Sequence, residues 1–223
     1  MISGQNPIAA AICRISGILF LIAAVLCSPG DSARASVIIA FDGASGPGLD
    51  SMSFNSVVTP NIGNDDVVGA SPNWISINQK AFAVVDYIDM VFSVEDFGVP
   101  ATEYILTEGV FNGTAEDWIG YQVVLGFGTG AGFVQSTLGD GLGFDNPDYN
   151  SPLDLAPFAI MLPLDEDVIN AVDSVVASGS FNVFAFPIDV PNDVTEFTIR
   201  QSPRTVPVSD ASSSWSEVKA LYR

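Results

Sequence analysis

The chain has 223 residues, 26 acids against 7 bases, no histidine, and a formal net charge of −19. A surface of that sign repels phosphate, which excludes nucleic-acid binding through Lys and Arg and, for the same reason, attraction to anionic lipid. Without histidine, the usual triads, His general bases and His-ligated zinc sites are excluded too.

In chain order, the first feature is an apolar run from Ile15 to Leu26 behind the single positive charge of Arg14. Ala33-Arg34-Ala35 then supplies small residues at the −3 and −1 positions of a signal-peptidase site. Residues 1–35 are therefore expected to be a signal peptide, cut after Ala35. As a retained anchor the 12-residue run is too short, since at about 1.5 Å per residue it spans about 18 Å of a hydrocarbon layer roughly 30 Å thick. A lipoprotein would need a small residue before Cys27, where Leu26 stands. Both cysteines, Cys13 and Cys27, fall inside the removed segment, so the mature chain has no thiol and depends on its core rather than on disulfides. The product is expected to be exported to the periplasm, the cell surface or the medium, with no stable membrane insertion after signal removal.

From Ser36 to Ile199 a single base, Lys80, stands against 23 acids. Divalent cations, or partners that bring them, suit such a surface, although an acid excess also serves simply to keep a secreted protein soluble. Over the same stretch, runs rich in Val, Ile, Phe, Tyr and Thr alternate with Gly, Pro, Asn and Asp clusters, which is the pattern of strands and turns. Strands are predicted near Val37–Phe41, Ser53–Val58, Phe82–Val94, Glu103–Phe111, Gly120–Gly126, Phe158–Met161, Phe181–Pro187 and Thr195–Arg200. Within Phe82–Val94 the mostly apolar face is interrupted at Asp86, where a bulge or strand end is expected. Acidic residues at Asp165-Glu166-Asp167 before Val168–Val172 favour a short helix, because carboxylates suit the positive end of the helix dipole; the other reading is a loop and a strand. The fold class expected is all-β: a two-sheet antiparallel, jelly-roll-like β-sandwich over residues 36–201 with at most one or two short helices.

Several segments invite a functional reading. Asn112-Gly113 is a favoured two-residue hairpin turn, which would make strands 103–111 and 118–126 neighbours. Trp118 and Tyr121 near the second strand's start could stack on the apolar faces of a sugar; their other role is core packing. The run Gly126–Gly132 lacks the βαβ setting of a dinucleotide loop and reads as a Gly-rich bend. Asp140, Asp145, Asp148 and Asp154 lie in one loop dense in carboxylates and amides, as calcium coordination requires, though the loop fails the EF-hand pattern and Asp and Asn also serve turns. Glycoside hydrolysis needs only two carboxylates, yet no spacing marks a particular pair.

The stretch Phe111-Asn-Gly-Thr-Ala-Glu-Asp-Trp118-Ile-Gly-Tyr121-Gln-Val-Val-Leu-Gly126-Phe127-Gly128-Thr129-Gly130, followed by Gly139-Asp140-Gly141-Leu-Gly-Phe144-Asp145, resembles the bacterial choice-of-anchor F family. The resemblance covers about Phe82 to Arg200, with the LGFGTG segment its most specific part. It implies an exported β-rich domain whose C-terminal anchor varies among members. Many members carry a PEP-CTERM signal read by exosortase, in bacteria that make exopolysaccharide. Here Thr205-Val206-Pro207-Val208 replaces the expected Thr-Val-Pro-Glu-Pro and no apolar run follows from Ser209 to Arg223. Residues 202–223 are thus expected to be a disordered tail with a degenerate sorting region, giving a released product, or else the trace of a frame-disrupted gene. The function expected is non-catalytic, in the cell surface or exopolysaccharide matrix, with extracellular polysaccharide or surface proteins as partners. The alternatives are a calcium-dependent carbohydrate-binding module and a glycosidase.

Overall fold

Alternating apolar and polar residues, many of them β-branched or aromatic, set eleven strands in the described part of the chain. The computed structural model describes residues 36–64, 72–98, 101–137, 139–145, 151–161 and 167–205. The strands are β1 (Ser36–Ser45), β2 (Leu49–Val58), β3 (Trp74–Phe82), β4 (Ile88–Asp96), β5 (Thr102–Asn112), β6 (Gly120–Phe127), β7 (Val134–Gln135), β8 (Ala159–Met161), β9 (Val168–Val172), β10 (Phe181–Val190) and β11 (Glu196–Arg204). The only helical element among the described residues is a single 3-10 turn, Gly130–Gly132. No helix among them is long and apolar enough to cross a membrane. The expected signal segment 1–35 and most of the expected tail lie outside the described residues; the tail's first residues, Ser202 to Arg204, belong to β11.

The strands form an all-β sandwich of two sheets. The larger has seven strands in the order β1-β4-β11-β6-β9-β8, with β7 also paired to β6, and every pairing in it is antiparallel. The smaller has the order β10-β5-β3-β2 and is mixed, because β3 and β5 run parallel. Ile75, Tyr104, Leu106, Phe184 and Phe186 of the smaller sheet meet Met90, Phe92, Val123, Leu125, Phe197 and Ile199 of the larger in one continuous core. Burial of that apolar area is the main stabilising term, at about 25 cal/mol per Å².

Three local expectations are corrected. The predicted strand Phe82–Val94 is two strands in different sheets: Phe82 ends β3, residues 83–87 cross the core's rim, and Ile88 begins β4. The break includes Asp86, whose carboxylate accepts the amide of Tyr87 at 2.7 Å, so the interruption in the apolar pattern is where the chain changes sheet. The expected helix at Val168–Val172 is strand β9, antiparallel to β6. Its Ile169 and Ala171 are buried while Val168, Asn170 and Val172 are half-exposed, a period of two that β-branched residues favour over a helix.

The Asn112-Gly113 hairpin does not form. β5 pairs with β10 and β3, whereas β6 pairs with β11 and β9 in the other sheet. A tight hairpin of the expected type needs positive φ at both turn residues, and neither Asn112 nor Gly113 has it. Instead the Asn112 carboxamide donates to the carbonyls of Glu116 and Val176 at 2.9 and 3.0 Å and accepts the amide and hydroxyl of Thr114 at 3.0 and 2.7 Å. These bonds fix a crossing from one sheet to the other, which delivers Trp118 and Tyr121 into the core.

Candidate functional site

Trp118 and Tyr121 are both fully buried. Tyr121 is ringed by Phe82, Trp118, Phe158 and Phe184, with centroids 5.0 to 6.5 Å away, and the Trp118 indole N–H donates to Thr114 Oγ1 at 3.1 Å. No ring face is left for a sugar; of the two roles open to these residues, both take core packing.

The acidic loop serves its own backbone. The Asp140 carboxylate accepts Ser136 Oγ at 2.6 Å, the Leu142 amide at 3.1 Å and the Thr137 amide at 2.9 Å. Asp145, at φ 53°, accepts the Ser151 amide at 2.7 Å, and Asp154 accepts the Ala156 amide at 2.9 Å. Asp148 lies outside the described residues. Among the described residues no three His, Cys, Asp or Glu side chains stand together as a metal site, so the structure does not bring Asp140, Asp145 and Asp154 onto one ion. Backbone bridges at Gly143–Asp189 and Asp154–Ala185 hold Gly143 and Asp154 against the outer side of β10, which otherwise presents an unpaired edge among the described residues. Asp140→Ala is expected to lower stability by about 1–2 kcal/mol, since it takes the acceptor from the Thr137 and Leu142 amides, while Ser136 Oγ keeps the Leu142 carbonyl; urea unfolding monitored by tryptophan fluorescence checks this.

The Gly-rich run is held by charge. A Cβ at Gly126 would collide with the Val134 carbonyl and the Phe133 ring, so β7 can fold back onto β6 only over glycine. Beyond the bend, Arg200 of β11 donates from Nε and Nη2 to the buried Asp89 of β4 at 2.7 and 2.8 Å, and from Nη2 to the Gly130 carbonyl at 2.8 Å. The Gly130 amide returns a bond to Asp89 Oδ2 at 2.8 Å. The guanidinium lies 4.0 Å from the centroids of both Tyr87 and Phe133. The hydrogen bonds to Asp89 raise the Arg200 pKa further above its ordinary value. The Gly-rich run is therefore part of a clasp between loop and sheet.

A second polar cluster, which sequence reading missed, lies between the sheets. Lys80 of β3 and Glu108 of β5 are both 0 % exposed, with Nζ 2.7 Å from Glu108 Oε2. Lys80 Nζ also donates to Gln201 Oε1 of β11, and the Tyr121 hydroxyl donates to that same oxygen at 2.6 Å. Two donors on one side orient the Gln201 carboxamide. Burial lowers the Lys80 amine from its ordinary value against the opposing pull of Glu108. Burial, then the charge of Glu108, pushes the Tyr121 phenol well above its usual range, so it stays a donor. Gln201 Nε2 and Glu108 Oε1 are buried with no hydrogen-bond partner among the described residues. Phe82 and Tyr121 rings stand 5.7 and 6.0 Å from Nζ, closing the site to water.

On the surface, Phe127, Asp140, Asn192, Asp193, Thr195 and Glu196 line a depression of about 430 Å³. None of the protein-family models, curated proteins or solved structures compared with the chain matches it.

Proposed function

We propose that this chain is a non-catalytic β-sandwich protein of the bacterial cell surface or exopolysaccharide matrix, as its resemblance to the choice-of-anchor F family implies. The observation that carries the reading is where the chemistry-bearing groups go. Lys80, Glu108 and Asp89 are all fully buried, and their bonds run between strands and loops of the fold itself. Side chains spent in this way make a durable scaffold. Between Ser36 and Ile199 acids outnumber bases 23 to one, and those on the surface, Asp50, Glu95, Glu116 and Asp117 among them, suit a hydrated matrix. Fractionation of cells that produce the protein natively is expected to recover it from the surface-washed and extracellular polysaccharide fractions; retention with cytosolic markers would reject the assignment.

Calcium-dependent carbohydrate binding is the second reading, with the surface depression beside Asp140, rather than a preformed group of three carboxylates, as its concave surface. An ion held by the native state alone stabilises it by about 2.7 kcal/mol at a hundredfold excess over Kd. Equal melting temperatures in millimolar calcium and in chelator, with no glycan-array signal in either, reject this reading.

A further inference from the structure

The Lys80 cluster holds every component of an amide-transfer reaction in one dry compartment. A primary amine touches a carboxylate on one side and a primary carboxamide on the other. A phenol donates to the carboxamide oxygen at 2.6 Å. The carboxamide nitrogen and the second carboxylate oxygen, both buried, have no other partner among the described residues. As a purely noncovalent arrangement this is costly, since it buries an ion pair and leaves two polar atoms unsatisfied. As the reactants of a condensation, the same atoms are a nucleophile, a proton carrier, an oxyanion donor and a leaving group.

We propose that Lys80 and Gln201 become joined by an intramolecular amide cross-link between the two sheets, formed by attack of the lysine amine on the glutamine carboxamide, with Glu108 as the catalytic proton carrier. Glu108 Oε2 first takes a proton from Nζ. The freed lone pair attacks Gln201 Cδ, the Nζ–Cδ bond forms, and the carbonyl π pair moves onto Oε1, where the Tyr121 hydroxyl stabilises the charge. A second Nζ proton passes through Glu108 to Nε2. The Cδ–Nε2 bond then breaks, its electron pair leaves on nitrogen as ammonia, and the carbonyl re-forms. No oxidant or reductant is needed, and one proton ends on Glu108, so charge balances once ammonia leaves.

Position supports the chemistry. Lys80 sits on β3 of the smaller sheet, paired with Met52 and Val110, while Gln201 sits on β11 of the larger, paired with Ile88 and Val123. The fold brings residues 121 apart in sequence into contact, so the reaction awaits folding and then locks it. Burial, which lowers the amine, also favours its nucleophilic neutral form. Phenylalanine and tyrosine rings around Nζ exclude the water that would compete as nucleophile.

The test is a peptide map of the full chain, purified folded and then digested with trypsin under denaturing conditions. Lys80 is the sole base from Ser36 to Ile199, and Arg200 and Arg204 bracket Gln201. A cross-linked chain resists cleavage at Lys80 and yields one branched product carrying Gln201–Arg204, lighter by one ammonia than its sequence. Asn112-Gly113 can also shed ammonia by succinimide formation, so the branched peptide, rather than intact mass alone, decides the matter. Glu108→Gln is expected to abolish the branch while leaving Lys80 and Gln201 present, and Gln201→Leu to abolish it by removing the electrophile. Loss of the link, which closes so long a loop, is expected to lower Tm by roughly 10–20 °C. Normal cleavage at Lys80 in folded wild-type protein overturns the proposal whether or not the variants fold. A branch that still forms at the wild-type rate in Glu108→Gln overturns the role given to Glu108.

Discussion

Leu125→Asp is expected to abolish cooperative folding. Leu125 lies in the middle of β6, opposite Ile199 of β11, and is fully buried in the core that both sheets share. Removing a buried leucine side chain costs about 2–5 kcal/mol in lost transfer energy and cavity. An unpaired carboxylate in its place adds several kcal/mol more, or forces protonation. The sum rivals the whole stability of an ordinary domain, about 5–15 kcal/mol. Far-UV circular dichroism should show no sharp thermal transition in the variant. Leu125→Met, which conserves volume and polarity, should cost less than about 1.5 kcal/mol and serves as the control. A wild-type melting temperature in Leu125→Asp would mean that β6 does not face the core.

β5, β6, β10 and β11 were legible from their β-branched and aromatic runs. In β9 the alternation lies in Val168–Val172 itself. The acidic residues before it drew attention to a helix dipole, although a β-branched run with period two is the stronger signal. Only Phe82 of β3 fell within an expected strand, because Asn78-Gln79-Lys80 breaks the alternation begun at Ile75 and Ile77. The register shift between Ile77 and Lys80 explains the mistake: a bulge interrupts the alternation and turns Lys80 inward. Pairing was harder still. Asn112-Gly113 looks like a hairpin locally, and only the partners of the Asn112 side chain, the distant Val176 carbonyl among them, reveal a crossing between sheets.

The polar core was invisible for a related reason. A lone lysine among many acids reads as a surface charge, since lysine is almost never fully buried unless paired. A signal was nevertheless present. Glu108 interrupts the mostly apolar run Tyr104-Ile-Leu-Thr-Glu-Gly-Val-Phe111, and Lys80 immediately precedes the buried Ala81-Phe82, so one base and one acid both adjoin core residues. Pairing them in advance would have required knowing that β3 and β5 run side by side in parallel, which is a long-range fact. Conversely, the Asp-rich loop after Gly139 drew attention as a metal site because its composition is conspicuous, yet Asp140 spends its carboxylate on its own turn.

Asp89→Ala is expected to be strongly destabilising although Asp89 lies outside the apolar core. Asp89 is fully buried and accepts three bonds, from Arg200 Nε, Arg200 Nη2 and the Gly130 amide. Truncating it leaves a guanidinium, only 20 % exposed, with the Gly130 carbonyl as its remaining protein acceptor among the described residues. Breaking a buried pair from one side costs about 3–5 kcal/mol, because the surviving charge keeps its desolvation penalty and loses its partner. Arg200→Lys should cost less than Asp89→Ala: an ammonium preserves the attraction to Asp89, but not the two-pronged contact or the stacking between Tyr87 and Phe133. The loss should be local as well as global. Freed from Asp89 and Arg200, the Gly128–Phe133 bend should open, so the Gly130 amide should exchange with deuterium much faster in both variants while amides in the centre of β5 stay protected at low denaturant. Because the pair is largely dry, raising salt from 50 to 500 mM should leave the wild-type advantage nearly unchanged, unlike a surface ion pair. An Asp89→Ala protein that unfolds at the wild-type urea midpoint, with Gly130 equally protected, would show that the clasp holds nothing.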